Sequence, residues 1–346
     1  MTISVIIPVF NGATSLGRCL GALASSRCSP FECIVVDDGS TDASPSIAQD
    51  FAVRMVHSAG GPFGPAHARN RGAELACGDI LLFVDADVAV HPDTLDHVAN
   101  TFARQPSIDA TFGCYDDSPA ATQFVSQYKN LFHHFVHQHG QEEGSTFWSA
   151  CGAIRRDVFQ ASGGFDEAYP SIEDIELGYR LRAAGHAIVL DRAIQVTHLK
   201  RWTLRGMIES DLFNRGIPWT RLMLQERKVL NDLNLRTSQR VSALLACLMV
   251  VHVVTAPFWL SLTGVRFATR LLAPLLTVTG LIMLLNYRFY AFFQRKRGAR
   301  FMLAVVPLHL LYYLYSVLAF VIGTGLHLVH ARHAPSIEPV RRPAIR

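Results

Sequence analysis

Charged residues are scarce in this chain: Asp, Glu, Lys and Arg make up 17% of 346 residues, against 50% hydrophobic, where soluble globular chains carry about 25% charge. That scarcity excludes both an ordinary soluble domain and a disordered chain. It is also uneven. Residues 241–265, 271–287 and 301–331 contain no Asp, Glu, Lys or Arg, whereas the first 240 residues mix charged and apolar runs as a globular domain does. The seven cysteines make no C-x-x-C pair and no zinc spacing, and an odd number cannot all pair internally. They read as reduced thiols of a cytosol-facing domain. No basic stretch precedes the first apolar run, which Pro8 interrupts and Asn11-Gly12 stops, so residues 3–10 read as a strand and not as a signal peptide. The net charge is only +4, and basic residues gather beside the apolar runs: Arg295, Lys296, Arg297 and Arg300, then Arg341, Arg342 and Arg346. That placement suits lipid headgroups and gives no reason to expect nucleic acid as a partner.

What is present in the first half is a repeated strand-and-helix unit. Residues 3–10 (ISVIIPVF) form the kind of continuous run that is buried on both faces of a parallel sheet, and Asn11-Gly12 turns the chain into a helical stretch at 14–26. Ile34-Val35-Val36 ends in Asp37-Asp38-Gly39-Ser40, with Thr41 and Asp42 placed to cap a short helix; residues 53–57 read as a third strand and 65–76 as a third helix. Residues 80–84 (ILLFV) are the fourth strand, closing on Asp85-Ala86-Asp87 ahead of a helix near Pro92. This alternation predicts a right-handed, doubly wound α/β layer whose ligands sit beyond the strand carboxyl ends. Neither G-x-G-x-x-G after the first strand nor G-x-x-x-x-G-K-[ST] occurs, which excludes the dinucleotide-binding and P-loop readings. Acid-rich strand ends point instead to a divalent cation holding a diphosphate.

The runs VIIPVFNG, VVDDGSTD, AHARNRGAELACGDILLFVDADV, CGAIRRDVFQASGGFDE and SIEDIELGYRLRAAG, in this order and spacing, resemble the family-2 glycosyltransferases of the GT-A fold across roughly residues 1–205. The resemblance implies a GT-A doubly wound nucleotide-sugar-binding domain followed by an α-helical transmembrane region. It further implies that Asp87 ligates Mg²⁺ or Mn²⁺ and that Asp85 contacts the ribose or the metal shell. Pro8, Val9 and Phe10 would line the base, with Asp37 or Asp38 hydrogen-bonding it, and Arg69 would reach nucleotide or phosphate. Asp174 matches the family's catalytic base, with Glu173 as the neighbour that positions it. Inversion follows from one base without a second nucleophile, and from the family. In Thr197-His198-Leu199-Lys200-Arg201-Trp202 the pair Arg201 and Trp202 matches the Q-x-x-R-W of processive members and is placed on the acceptor side, but His198 stands where Gln would be. His198 completes the metal shell or does not, and the indole stacks on a sugar or plugs the junction with the membrane half. His133, His134, His137 and His139 are read as facing solvent or the acceptor cleft, opposite a buried stripe of Phe124, Tyr128, Leu131 and Phe135.

The expected organisation is a catalytic domain over 1–205, amphipathic interfacial helices over 206–240, about three spans over 241–331 and a basic tail over 332–346. The expected protein is a multi-pass enzyme of the cell membrane with its catalytic domain in the cytoplasm. It would move a sugar from a nucleotide diphosphate sugar to a hydroxyl or phosphate acceptor, lipid-linked or a cell-envelope glycan. The alternatives are a processive polysaccharide synthase and, from another class, an inactive GT-A scaffold or partner subunit. A chain ending near Arg236 is expected to be soluble and to bind nucleotide still.

Overall fold

The computed structural model describes residues 1–333 apart from 29, 229–230 and 264–266. Arg266 and most of the expected basic tail, with Arg341, Arg342 and Arg346, lie outside the described residues.

The amino-terminal half is one eight-stranded sheet in the order β3-β2-β1-β4-β7-β6-β8-β5. Its first part follows the sequence pattern. Strand β1 (Ile3–Val9), β2 (Glu32–Asp37), β3 (Arg54–His57) and β4 (Ile80–Val84) are parallel, joined through helices α1 (Leu16–Ala24), α2 (Ser44–Gln49) and α3 (Pro65–Leu75). All five residues of β4 are buried, as are Val5, Ile6 and Ile7 of β1. Apolar runs of this kind are covered on both faces, each side chain contributing about 1.5–3 kcal/mol of burial. Beyond β4 the sheet becomes mixed. The short β5 (Val88–Val90) follows Asp87 directly, then come α4 (Thr94–Arg104), β6 (Ala110–Tyr115), α5 (Phe124–Gln138), β7 (Cys151–Arg155), α6 (Arg156–Ala161), α7 (Glu173–Ala183) and β8 (Ile188–His198). β7 runs antiparallel to both β4 and β6, and β5 antiparallel to β8. The last pairing sets Val88 opposite His198, which brings the end of the D-x-D loop against the end of β8. All seven cysteines are free thiols.

Helix α5 departs from the expected amphipathic pattern. Phe124 is 36% exposed, while Ser126, Gln127, Lys129, Asn130 and His134 are buried alongside Tyr128, Leu131 and Phe132. The helix is enclosed between the sheet and the carboxyl-terminal helices: His134 is bonded to the Tyr115 carbonyl oxygen at 2.7 Å, His133 stacks on the Tyr115 ring, and His133 and His137 line a cavity, the alternative to solvent in the sequence reading.

After β8 come α8 (Leu204–Glu209), a π-helical turn (Ser210–Gly216) and α9 (Ile217–Gln225). This segment bridges the two halves. Met207, Leu212, Trp219, Leu222 and Met223 are buried, whereas Leu204 and Phe213 are exposed. The carboxyl-terminal half comprises α10 (Thr237–Thr263), α11 (Phe267–Leu285), α12 (Tyr287–Arg297) and α13 (Ala299–His333). Two stretches, Thr237–Phe258 and Ala299–Val329, are long and apolar enough to cross a membrane; a third arises if Thr269–Leu285 and Tyr287–Arg297, bent by 81°, count as one broken span. Residues 271–287 are therefore not the start of a straight third span, because the chain turns sharply at Asn286. Helix α12 packs Phe289, Tyr290, Phe292 and Phe293 into an aromatic cluster with Tyr128, Phe132 and Trp202. Its basic end docks on the amino-terminal half: Lys296 pairs with Asp117, and Arg297 donates to Gln127 Oε1 at 2.8 Å and to the Asp117 carbonyl oxygen at 3.0 Å.

Candidate active site

Two cavities meet at the carboxyl ends of β1, β2 and β4. The outer cleft, about 890 Å³, runs from Pro8, Val9 and Phe10 past Asp38 to Leu199 and Arg201. The inner pocket, about 290 Å³, holds Glu173, Asp174, Ser149, His198 and Trp202. Arg69, Asp85, Asp87 and Lys200 line both. The D-x-D loop is thus the partition between two chambers.

On the outer side, Asp37, the last residue of β2, and Asp38, just beyond it, turn to different partners. Asp38 faces the cleft: its Oδ2 accepts from the Phe63 and Gly64 amides at 2.9 and 2.7 Å, and its buried Oδ1 has no partner. A buried carboxylate oxygen left unsatisfied is costly and is the place for a ligand donor. Asp37 does not line the cleft. Its oxygens accept from the Ser40 amide at 3.1 Å and meet His57 Nδ1 at 3.1 Å, so it holds the turn instead of contacting a base. Phe10 is half exposed at the mouth.

At the partition, Arg69 is buried and bonded to two acids. Its Nη2 donates to Asp85 Oδ1 at 2.7 Å and its Nη1 to Glu173 Oε1. Burial works against its charge, but Asp85, Glu173 and Asp174 outweigh that and raise its pKa further. Burial in turn raises the Glu173 carboxyl while Arg69 restrains it. Arg69 is therefore committed to carboxylates and is not a free hand for phosphate. Glu173 fixes Arg69, and Asp85 with it.

Asp174 sits one residue into α7, where an acid also suits the helix dipole. Its Oδ2 accepts from the Ser149 amide at 3.1 Å and from the Ser149 hydroxyl at 3.3 Å, and its Oδ1 from the Ile175 amide at 2.8 Å. The helix lies close because Gly178 has no side chain: a Cβ there would overlap the Phe147 amide and Thr146.

His198 is buried and stacked on Tyr115, ring centroids 4.3 Å apart. Asn130 Oδ1 lies 2.5 Å from Nδ1. With Nδ1 turned to Asn130, the other ring nitrogen, Nε2, lies 3.5 Å from Asp87 Oδ2. Burial raises the Asp87 carboxyl, but the bond and charge of His198, with Lys200, bring it net below its ordinary value. An imidazole nitrogen and a carboxylate oxygen are both ligand types for a divalent cation. Among the described residues, however, no three His, Cys, Asp or Glu gather closely enough to form a metal site on their own. Asp87 and His198 fit as a partial ligand set that diphosphate oxygens and water would complete, which suits Mg²⁺ or Mn²⁺.

The acceptor-side pair separates. Arg201 lines the outer cleft and not the inner pocket. Trp202 does line the inner pocket but is only 8% exposed and is packed in the aromatic cluster of α5 and α12, so the indole plugs the junction between the halves. Sequence reasoning missed Ser149, Asn130, Tyr115 and Lys200. Only Lys200 carried a signal, as a basic residue inside T-H-L-K-R-W.

The family profile described as Glycosyl transferase family 2 matches residues 4–163. The chain is 38% identical over 112 residues to the uncharacterized glycosyltransferase YibD of Escherichia coli (31% of this chain, 32% of that protein). It is 29% identical over 231 residues to validoxylamine A glucosyltransferase of Streptomyces hygroscopicus subsp. jinggangensis (55% and 53%). A PGL/p-HBAD biosynthesis glycosyltransferase of Mycobacterium tuberculosis is 38% identical over 115 residues (32% and 45%). The chain thus spans about a third to a half of the length of these curated relatives. Among solved structures, the Pyrobaculum calidifontis mannosyltransferase PcManGT, in complex with GDP-Man and Mn²⁺, superposes with a TM-score of 0.59 at 18% identity, covering 92% of this chain and 86% of that one. S. aureus TarS 1–349 in complex with UDP-GlcNAc gives 0.51 at 18% identity, covering 97% and 93%. These likenesses speak for the fold.

Proposed function

The chain carries a glycosyltransferase family 2 domain on a curled mixed sheet of GT-A type, and from that premise we propose that it is a membrane-anchored, inverting glycosyltransferase. It would use a nucleotide diphosphate sugar as donor and a hydroxyl or phosphate acceptor of a lipid-linked compound. The observation that carries this reading is the pair of chambers sharing the D-x-D wall. A donor in the outer cleft and an acceptor in the inner pocket would meet at the wall of Asp85 and Asp87, flanked by Arg69 and Lys200.

In this reading Asp38, with its open Oδ1, and the Pro8–Phe10 backbone hold the nucleoside. Asp87 and His198 would hold a divalent metal, which would supply charge neutralisation to the diphosphate. Arg69 stays with Asp85 and Glu173 and keeps the partition rigid. Asp174, steadied by Ser149 on one oxygen, takes the acceptor proton as the acceptor attacks the anomeric carbon opposite the diphosphate.

The membrane seating rests on α12. Its basic end reaches Asp117 and Gln127 of the catalytic half, so the chain is back on that side by residue 296. Helices α10 and α11 then form an outward-and-return pair, and α13 leaves again. Positive residues beside the catalytic half suit a cytoplasmic location for it.

The test is transfer from a panel of nucleotide sugars by Asp174→Asn and Glu173→Gln, with nucleotide affinity measured on the same samples. Asp174→Asn should lose about 10²–10⁴-fold in turnover while the donor still binds, because the amide keeps the shape without accepting the proton. Wild-type turnover in Asp174→Asn would refute the assignment.

A further inference from the structure

The inner pocket does not end at the acids. Behind it lies a smaller cavity of about 140 Å³, walled by Lys129, Asp211 and Arg215 on one side and by Tyr312, Tyr315 and Phe320 of α13 on the other. Lys129, Asp211 and Arg215 line both spaces, so the two adjoin through these side chains. The far end reaches the membrane face, because Phe320 is 52% exposed beside the exposed Leu318 and Val321.

The charges at this junction do not balance. Asp211 is spoken for: Lys129 Nζ donates to its Oδ1 at 2.5 Å and the Tyr315 hydroxyl to its Oδ2 at 2.7 Å. Arg215 follows four residues on within the π-helical turn, a geometry that sets the two on nearly the same side and that is common at functional sites. Among the described residues no carboxylate lies within ion-pair distance of Arg215. The side-chain hydrogen bond shown for it runs from Nη1 to Nε2 of His133, at 3.4 Å. Burial, then the charges of Lys129 and Arg215, hold His133 well below its ordinary pKa. A neutral imidazole accepts a proton donor without cancelling its charge. Lys200, at the pocket's other wall, also lacks a carboxylate within that distance; its ammonium lies 4.4 Å from the Trp202 ring centroid. The Trp202 indole N–H is buried without a partner. Arg215, half-buried and without a carboxylate beside it, leaves its guanidinium open to an anion that enters the pocket.

Resting on the glycosyltransferase reading above, we propose that this junction binds the phosphate of an amphiphilic acceptor: Arg215 takes the phosphate, and the apolar chain leaves past Tyr315 and Phe320 into the bilayer. The phosphate chemistry is shared by a lipid phosphate and free phosphate, and the cavity against α13 selects the former. Guanidinium is suited to this because its planar donors match phosphate oxygens in pairs.

The test uses the full chain in detergent micelles with three probes: farnesyl phosphate, farnesol and inorganic phosphate. Uridine and guanosine diphosphate binding is read on the same samples. Farnesyl phosphate should bind at least about tenfold more tightly than either other probe, and Arg215→Gln should weaken it by about tenfold or more, the scale of one charge-assisted hydrogen bond. Arg215→Lys should retain part of that affinity, and nucleotide binding should be unchanged in both variants. Phe320→Trp, which fills the exit, should weaken farnesyl phosphate and leave inorganic phosphate alone. Equal binding of inorganic phosphate or of farnesol would overturn the proposal, as would an unaffected Arg215→Gln. Failure of farnesyl phosphate with nucleotide binding intact would remove this site and leave the glycosyltransferase reading standing; a wild-type chain that binds no nucleotide would remove both.

Discussion

Arg69 shows how a single side chain can tie distant parts of a site together. With Asp85 on one amino group and Glu173 on the other, it joins the end of β4 to the start of α7. Arg69→Met would leave Glu173 buried and uncompensated, a loss on the scale of about 3–5 kcal/mol. The lowered midpoint of thermal unfolding in detergent should be partly restored by adding Glu173→Gln, and a lack of any recovery would show that the two do not form one unit. Arg69 stood out in HARNRG, but its partner is 104 residues away, and no local pattern announces such a pairing. Asp37 and Asp38 teach the same lesson at closer range. The pair was legible as a strand end, yet which of two neighbours faces the cleft depends on what packs beside β2.

At the scale of elements, strands β1 to β4 and their helices were readable because each carries its own periodicity and punctuation. Helix α5 was not. Its apolar spacing predicts one buried stripe, but Lys129, Asn130 and His134 are enclosed as well, each bonded to a group from another element: Asp211, His198 and the Tyr115 carbonyl. A polar residue reads as exposed until its remote partner is known. The mixed half of the sheet escaped for a related reason, since strand direction follows from long-range pairing. Helix α7 offers the sharpest element-scale test. Because it presses Gly178 onto the 146–147 backbone, Gly178→Ala should displace the helix and its acids. Turnover should fall by about tenfold or more, since misplacements near 1 Å cost up to 10²-fold, and nucleotide affinity should hold. A variant with native turnover would mean that the acids tolerate a looser seat.

For the whole molecule, the division into a globular and an apolar half was plain from charge alone, but the two are less separable than composition suggests. Tyr128, Leu131, Phe132 and Trp202 of the amino-terminal half share one cluster with α12 and with Val305 of α13. A chain cut near Arg236 would lay that cluster bare. The sequence-based expectation of a soluble fragment therefore gives way to its opposite: without detergent the fragment should elute in the void volume on size exclusion, while the full chain in micelles runs as a discrete species. A monodisperse fragment that binds nucleotide would overturn this. Helix α13 adds a mechanical side to the union. Its apolar stretch of 31 residues is about 46 Å long at 1.5 Å per residue, half as long again as a hydrocarbon core of about 30 Å. In the seating proposed above such a rod must lean or overrun the bilayer. Gly216 abuts Ala319, and Tyr315 grips Asp211, so the turn carrying Asp211 and Arg215 leans with it. Membrane thickness thereby becomes a dimension of the reaction chamber.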